Sequence, residues 1–123
     1  MKDLRTSSIM SEIARNSIIS QSNALKGVAN LIDKAFAEAV QLIYNSKGRV
    51  VITGIGKSAI IAKKIVATLN STGTSSIFMH AADAIHGDLG LVQKSDIIIC
   101  ISKSGDTPEI KVLVQIINKL KNK

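Results

Sequence analysis

Three short segments hold the residue types that could carry chemistry. The first is Gly54-Ile55-Gly56-Lys57-Ser58, which follows the β-branched run Val50-Val51-Ile52. Glycines there let a backbone approach a ligand, a following helix start offers N-H groups to an anion, and Lys57 adds a mobile positive charge. Two familiar phosphate motifs nearly fit. A Walker A loop needs a glycine where Val51 stands. A dinucleotide fingerprint would read Gly54-x-Gly56-x-x-Ala59 but lacks the acidic residue expected about 20 positions on, near Thr74. The same residues also suit a plain strand-to-helix turn with a solvated lysine. The second segment holds His80, His86, Gly87, Asp88 and Gly90. Histidine there can donate, accept or relay a proton near neutral pH. The two histidines are six apart, which is not a helical i, i+4 metal pair, and each alone also reads as structural. The third, Ser102-Lys103-Ser104-Gly105-Asp106-Thr107-Pro108-Glu109, combines hydroxyls and a glycine at a helix start, a cradle for a phosphate monoester. It also reads as a capped helix, with Thr107 at N-cap, Pro108 at N1 and Glu109 in the first turn. Glu109 has a second reading as a carboxylate that moves a proton between adjacent carbons of an open-chain sugar.

These segments need elements to hold them. Ile9, Ile13, Ile18, Ile19 and Leu25 predict a first helix over about Ser8 to Lys26, stopped at Gly27. A second follows Asn30 as N-cap, with Ile32, Phe36, Ala39, Val40 and Ile43 as its stripe and Asn45 to Gly48 as its end. Next come the Val50 strand, the glycine turn and a helix with Ile61, Ile65 and Leu69 on one face, stopped at Gly73. A strand over Ser76 to His80 leads into a polar stretch, Ala81 to Gly90, with one helical turn. Asp96 opens a third strand, Ile97 to Ile101, and a last helix carries Ile110, Leu113, Val114, Ile117 and Leu120. Alternating strands and helices joined by long connections predict an α/β fold, a Rossmann-like doubly wound parallel sheet preceded by two N-terminal helices. In such a sheet ligands sit beyond the carboxyl ends of the strands, where the glycine turn and the serine loop would converge.

Composition bounds the function. The chain has 123 residues, enough for one domain. With aromatics at 2%, its core must be built from Ile, Leu, Val and Ala, which suits a buried parallel sheet. No apolar run approaches the roughly 18 residues of a membrane span and no signal-peptide stretch opens the chain, so a cytoplasmic protein without membrane contact is expected. The single cysteine, Cys100, sits in an apolar run and reads as a small buried hydrophobe. The net charge of +7 would suit a polyanion partner, but Lys111, Lys119, Lys121 and Lys123 form one C-terminal segment and no aromatics interleave with them. A solvated helix face, with no nucleic-acid partner, is the expectation.

Taken together, Gly56-Lys57-Ser58, Ser71-Thr72-Gly73-Thr74, His86-Gly87-Asp88-Leu89-Gly90 and Ser102-x-Ser104-Gly105-x-x-x-Glu109-Ile110 resemble the arabinose 5-phosphate isomerases, over about Lys2 to Lys121. The resemblance implies a sugar isomerase (SIS) domain with a five-stranded parallel sheet, and interconversion of D-ribulose 5-phosphate with D-arabinose 5-phosphate through a cis-enediol. In that family the reaction feeds synthesis of Kdo, an acid sugar of lipopolysaccharide, without a cofactor. Catalytic residues are then implied at Lys57, Glu109 and His86. Substrate and phosphate contacts are implied at Gly56, Ser58, Gly73, Thr74, His86, Ser102, Ser104 and Thr107. His80 matches a position that takes a zinc ion in relatives, inhibitory rather than required. A homo-oligomer, dimer or tetramer, with sites completed across subunits is also implied.

Compared with the family pattern, residues 1–123 read as an SIS domain incomplete at its C-terminal side, short of two strands, a second glutamate and a histidine, and without the paired CBS modules of many relatives. Uncovered sheet edge and helix faces then predict self-association or poor solubility. Two other readings stay open: a non-catalytic sugar-phosphate-binding SIS module, and a dinucleotide-binding domain. A DNA-binding regulator is disfavoured, because the two helices before the first strand belong to the SIS fold and leave no helix-turn-helix domain.

Overall fold

In the computed structural model, which describes residues 4–120, the chain forms two compact units divided between Val40 and Gln41. Lys2, Lys121 and Lys123 lie outside the described residues. The first unit holds α1 (Leu4–Ala29) and the start of α2 (Lys34–Asn45). α1 continues through Gly27, so the expected stop falls inside the helix. Glycine weakens a helix interior without forbidding it. The α2 cap is Asp33 rather than Asn30: its Oδ1 accepts from the Phe36 amide at 3.2 Å, the N-cap to N3 bond.

The second unit is a parallel sheet. Strands β1 (Val50–Gly54), β2 (Ser76–His80) and β3 (Ile97–Ile101) lie in the order β2-β1-β3, with Val50 level with Ser76 and Ile97, and Gly54 level with His80 and Ile101. Helix α3 (Lys57–Ser71) crosses from β1 to β2. The return to β3 on the other side of β1 runs through α4 (Ala81–Ile85) and a 3₁₀ turn at Asp88–Leu91, and α5 (Pro108–Leu120) follows β3. The β2 and β3 limits agree with those expected, and β1 is longer by two residues.

Both sheet faces are covered, as the doubly wound expectation requires. On one, Val50, Ile52 and Ala62 are buried with Ile43, Val66, Leu69 and Phe78 against them. On the other, Val51 and Met79 pack with Ala81, Ala84, Ile110, Leu113 and Ile117 of α4 and α5. The α3 face differs from the expected one. Ala59 and Ala62 are buried, whereas Ile61 and Ile65 are 55% and 37% exposed, because small side chains let the helix lie close to the β1 backbone. Cys100 is half-buried beside the α5 face, where burial raises its thiol pKa.

Two polar devices fix the amino ends of the strands. Asp96, its side chain closed to solvent, accepts from the Arg49 and Gln93 amides at 2.9 Å each and from Arg49 Nη2 at 2.7 Å. Burial alone would raise its carboxyl pKa. The Arg49 side-chain bond, both amides and the Arg49 charge together bring it below the ordinary value. At the outer side of β2, the Asn70 carboxamide accepts from Ser76 N-H at 2.8 Å and donates to Ser76 C=O at 3.0 Å.

Candidate functional site

The shared register of Gly54 and Ile101 makes Ile55 and Ser102 neighbours, so the glycine turn and the serine loop lie side by side beyond the carboxyl ends of β1 and β3. This is the point where the chain, having placed β2 on one side of β1, places β3 on the other, the crevice in which open α/β sheets bind ligands. Gly54 is required there by proximity: a Cβ would stand 3.0 Å from the Ser58 carbonyl carbon, 3.2 Å from Ala59 N and 3.2 Å from Ile101 O. Gly56 has φ +58, in the region glycine favours, and no side chain caps the α3 start it opens. Those N-H groups and the exposed Lys57 make one cationic wall of the crevice.

The opposite wall is a pre-shaped loop. Ser102 Oγ accepts from Gly105 N-H at 3.1 Å and shares a bond with Thr107 Oγ1 at 3.2 Å, while Ser104 Oγ accepts from Asp106 N-H at 3.1 Å. Thr107 stands at the N-cap of α5 as expected, its C=O accepting from Lys111 N-H at 3.0 Å, while its hydroxyl pairs with Ser102. Of the two hydroxyl protons in that pair, one closes the mutual bond and the other is available to an anion. The Asp106 carboxylate is paired with Lys111, which offsets its negative charge beside the loop. Glu109, half-buried, opens α5 directly behind the loop.

Lys57, Gly56, Ser58, Ser102, Ser104, Thr107 and Glu109 therefore gather at one end of the sheet. His80 ends β2 at the same level, and His86, exposed, follows α4 at its C-cap, about 7–8 Å further along the chain's helical rise. Gly73 and Thr74 lie elsewhere. They precede β2 at the amino ends of the strands, and six residue steps at about 3.3 Å each put Thr74 some 20 Å from the level of Gly54. One five-carbon phosphate cannot touch both ends within a single chain.

His80 tests the metal expectation. Its buried Nδ1 has no hydrogen-bond partner and lies 3.7 Å from Asp83 Oδ2, which provides two donors. Among the described residues no group of three or more metal-ligating side chains forms, so His80 and Asp83 leave a zinc shell of three or four protein ligands incomplete. No chemical step is assigned to a metal here. Among the described residues, no helix is long and apolar enough to cross a membrane.

The residues that reasoning from sequence missed are those that fix the frame: Arg49 with Asp96, and Asn70 with Ser76. The first pair is 47 positions apart and carries no local signal. The second could have been read from an asparagine at a helix end, three residues before a glycine.

The SIS domain family matches residues 42–123, which include every element of the second unit from β1 onward. The chain belongs to the SIS domain family. This SIS-family chain is 43% identical over 112 residues to a Haemophilus influenzae protein described as a probable arabinose 5-phosphate isomerase, covering 91% of this chain and 33% of that protein. It is 43% identical over 107 residues to the arabinose 5-phosphate isomerase KdsD of Pseudomonas aeruginosa, covering 87% and 33%. The structure of E. coli CFT073 c3406 in complex with arabinose 5-phosphate superposes with a TM-score of 0.77 at 41% identity, covering 91% of this chain and 61% of that one. The chain thus spans about a third of the length of the curated relatives it matches.

Proposed function

We propose that this SIS domain is the N-terminal part of an aldose-ketose isomerase that interconverts D-ribulose 5-phosphate and D-arabinose 5-phosphate in the cytoplasm, supplying Kdo synthesis for lipopolysaccharide. The observation that carries the reading is the Gly54–Ile101 register, which sets a cationic glycine turn against a hydroxyl-rich loop. A relative of the same fold, c3406, is solved in complex with arabinose 5-phosphate, which supports a pentose phosphate as the ligand here. In this reading the phosphate rests on Ser102, Ser104, Thr107 and the open amides after Gly56. Glu109 takes the proton from the carbon beside the carbonyl and returns it to the neighbouring carbon. The Lys57 ammonium steadies the enediolate oxygen, and His86 orients the substrate or assists ring opening.

Gly73 and Thr74, some 20 Å from that crevice, contact substrate through a second copy, so the working form is a homo-oligomer, dimer or tetramer. A coupled assay with D-arabinose 5-phosphate, reading ribulose 5-phosphate, tests the proposal beside Lys57→Met and Glu109→Gln. Both variants should lose turnover by at least a hundredfold while their melting temperatures stay near wild type; wild-type rates in both would remove these residues from the chemistry. Ligand-induced thermal stabilisation without turnover favours the second reading, a sugar-phosphate-binding module, which the span of a third of the relatives' length keeps in view.

A further inference from the structure

The serine loop carries a cation to which the isomerase reading gives no task. Lys103 stands between Ser102 and Ser104, exposed, and enters no ion pair or hydrogen bond among the described residues. The loop does not need it for its shape. Ser102 Oγ accepts from Gly105 N-H, Ser104 Oγ from Asp106 N-H, and Ser102 pairs with Thr107, all without the lysine side chain.

The other charges around the crevice are accounted for. The Asp106 carboxylate is paired with Lys111. Lys57, on the facing glycine turn, and Glu109, at the start of α5, are opposite in sign and cancel, and in the isomerase reading both act on the sugar carbons. What the loop itself offers a phosphate is neutral: the hydroxyls of Ser102, Ser104 and Thr107, and the amides of Lys103 and Ser104, which donate to no other group among the described residues. Neutral donors replace the water around a dianion without offsetting its charge, and Glu109 adds a third negative charge nearby.

We propose that Lys103 is a specificity-determining residue of this site, a loop cation that makes it select a doubly charged phosphate group over singly charged or neutral ones. This inference rests on the reading of the serine loop as the phosphate seat. The long, flexible lysine stem lets the ammonium follow the phosphate as a point charge, while the loop backbone keeps its own geometry. At about 4 Å from a solvated dianion, such a cation is worth about tenfold in affinity. Coulomb energy scales with the ligand charge, so a monoanion gains only about threefold. The charge is exposed, so salt screens it.

Isothermal titration of the 123-residue chain tests this with D-arabinose 5-phosphate and with D-arabinose 5-sulfate, a tetrahedral ester of single charge. Lys103→Met should weaken the phosphate about tenfold and the sulfate about threefold, and Lys103→Arg should restore both. In 1 M sodium chloride, where the Debye length is about 3 Å, the loss should shrink to within about twofold. Lys94→Met, which removes the same charge beside Asp96 at the opposite end of the sheet, should bind as wild type does. Equal losses in Lys94→Met and Lys103→Met would assign the effect to net charge and overturn the proposal. So would unchanged phosphate affinity in Lys103→Met, a loss that persists in high salt, or equal losses for the two esters. Turnover separates the two readings: wild-type binding without isomerisation refutes the isomerase and leaves the Lys103 affinities to decide this inference alone. Where turnover is present, Lys103→Met should raise KM in step with Kd and keep kcat within about twofold; a lower kcat at unchanged Kd would overturn the proposal.

Discussion

Replacing Asp96 by alanine should be among the most damaging single changes in the sheet unit, and its size can be worked from the bonds. The carboxylate accepts from two backbone amides, those of Arg49 and Gln93, and from the Arg49 guanidinium. Loss of an acceptor for a buried donor costs about 1–3 kcal/mol; the half-buried Arg49 amide accounts for about 2 kcal/mol and that of the exposed Gln93 for about 1 kcal/mol, about 3 kcal/mol between them. The guanidinium adds little, since the Arg49 side chain is 29% exposed and keeps its bond to Leu91 C=O at 2.7 Å. Asp96→Asn, which keeps one acceptor oxygen, should lose about half as much. In urea, with a slope of about 1.5 kcal/mol/M, Asp96→Ala moves the midpoint down by about 2 M at fixed protein concentration. The pH dependence gives a second readout. Because the folded-state pKa of Asp96 is lowered, its contribution is complete above the unfolded value of about 4 and is lost as pH falls through the lower folded value. The gap between wild type and Asp96→Ala should therefore narrow only in acid. A midpoint shift below about 0.3 M, or a gap that stays constant down to acid unfolding, would refute this account of the strand ends.

Gly54→Ala should destabilise by about 1–3 kcal/mol, because its Cβ meets backbone atoms of Ser58, Ala59 and Ile101 that cannot turn aside; thermal melts read the loss, and a melt within a degree of wild type would show that the turn opens freely. Asn70→Ala removes both bonds to Ser76 and should lower stability by about 1–2 kcal/mol, with faster hydrogen exchange at the Ser76 amide. Asn70→Asp, which keeps the acceptor but sets a carboxylate against the Ser76 carbonyl, should not restore it.

Much of the second unit was legible because its signals are local. The runs Ser76 to His80 and Ile97 to Ile101 are apolar, short and bounded by polar residues, and both became strands with those limits. The glycine turn and the serine loop were legible as ligand-facing segments, since strand-turn-helix order alone directs them to one end of a parallel sheet. Pairings over long separations were not: nothing near Arg49 announces Asp96. The α3 face was misread because hydrophobicity weighs isoleucine above alanine, while close approach to a glycine-bounded strand favours alanine. The 20 Å separation of Gly73 and Thr74 from the crevice follows only from register, which a periodicity of apolar residues does not supply.

The Asn70 carboxamide stands in for a missing strand. By taking both the N-H and the C=O of Ser76, it presents the hydrogen-bond pattern that a neighbouring backbone would offer, and so occupies one rim of the sheet at its first rung. The opposite rim, along the half-exposed Ile98 to Ile101, has no such substitute among the described residues. Lateral growth of this sheet is thereby polarised. An incoming strand from another molecule meets resistance beside β2 and an open template beside β3, so edge-to-edge aggregation is directed to the β3 rim.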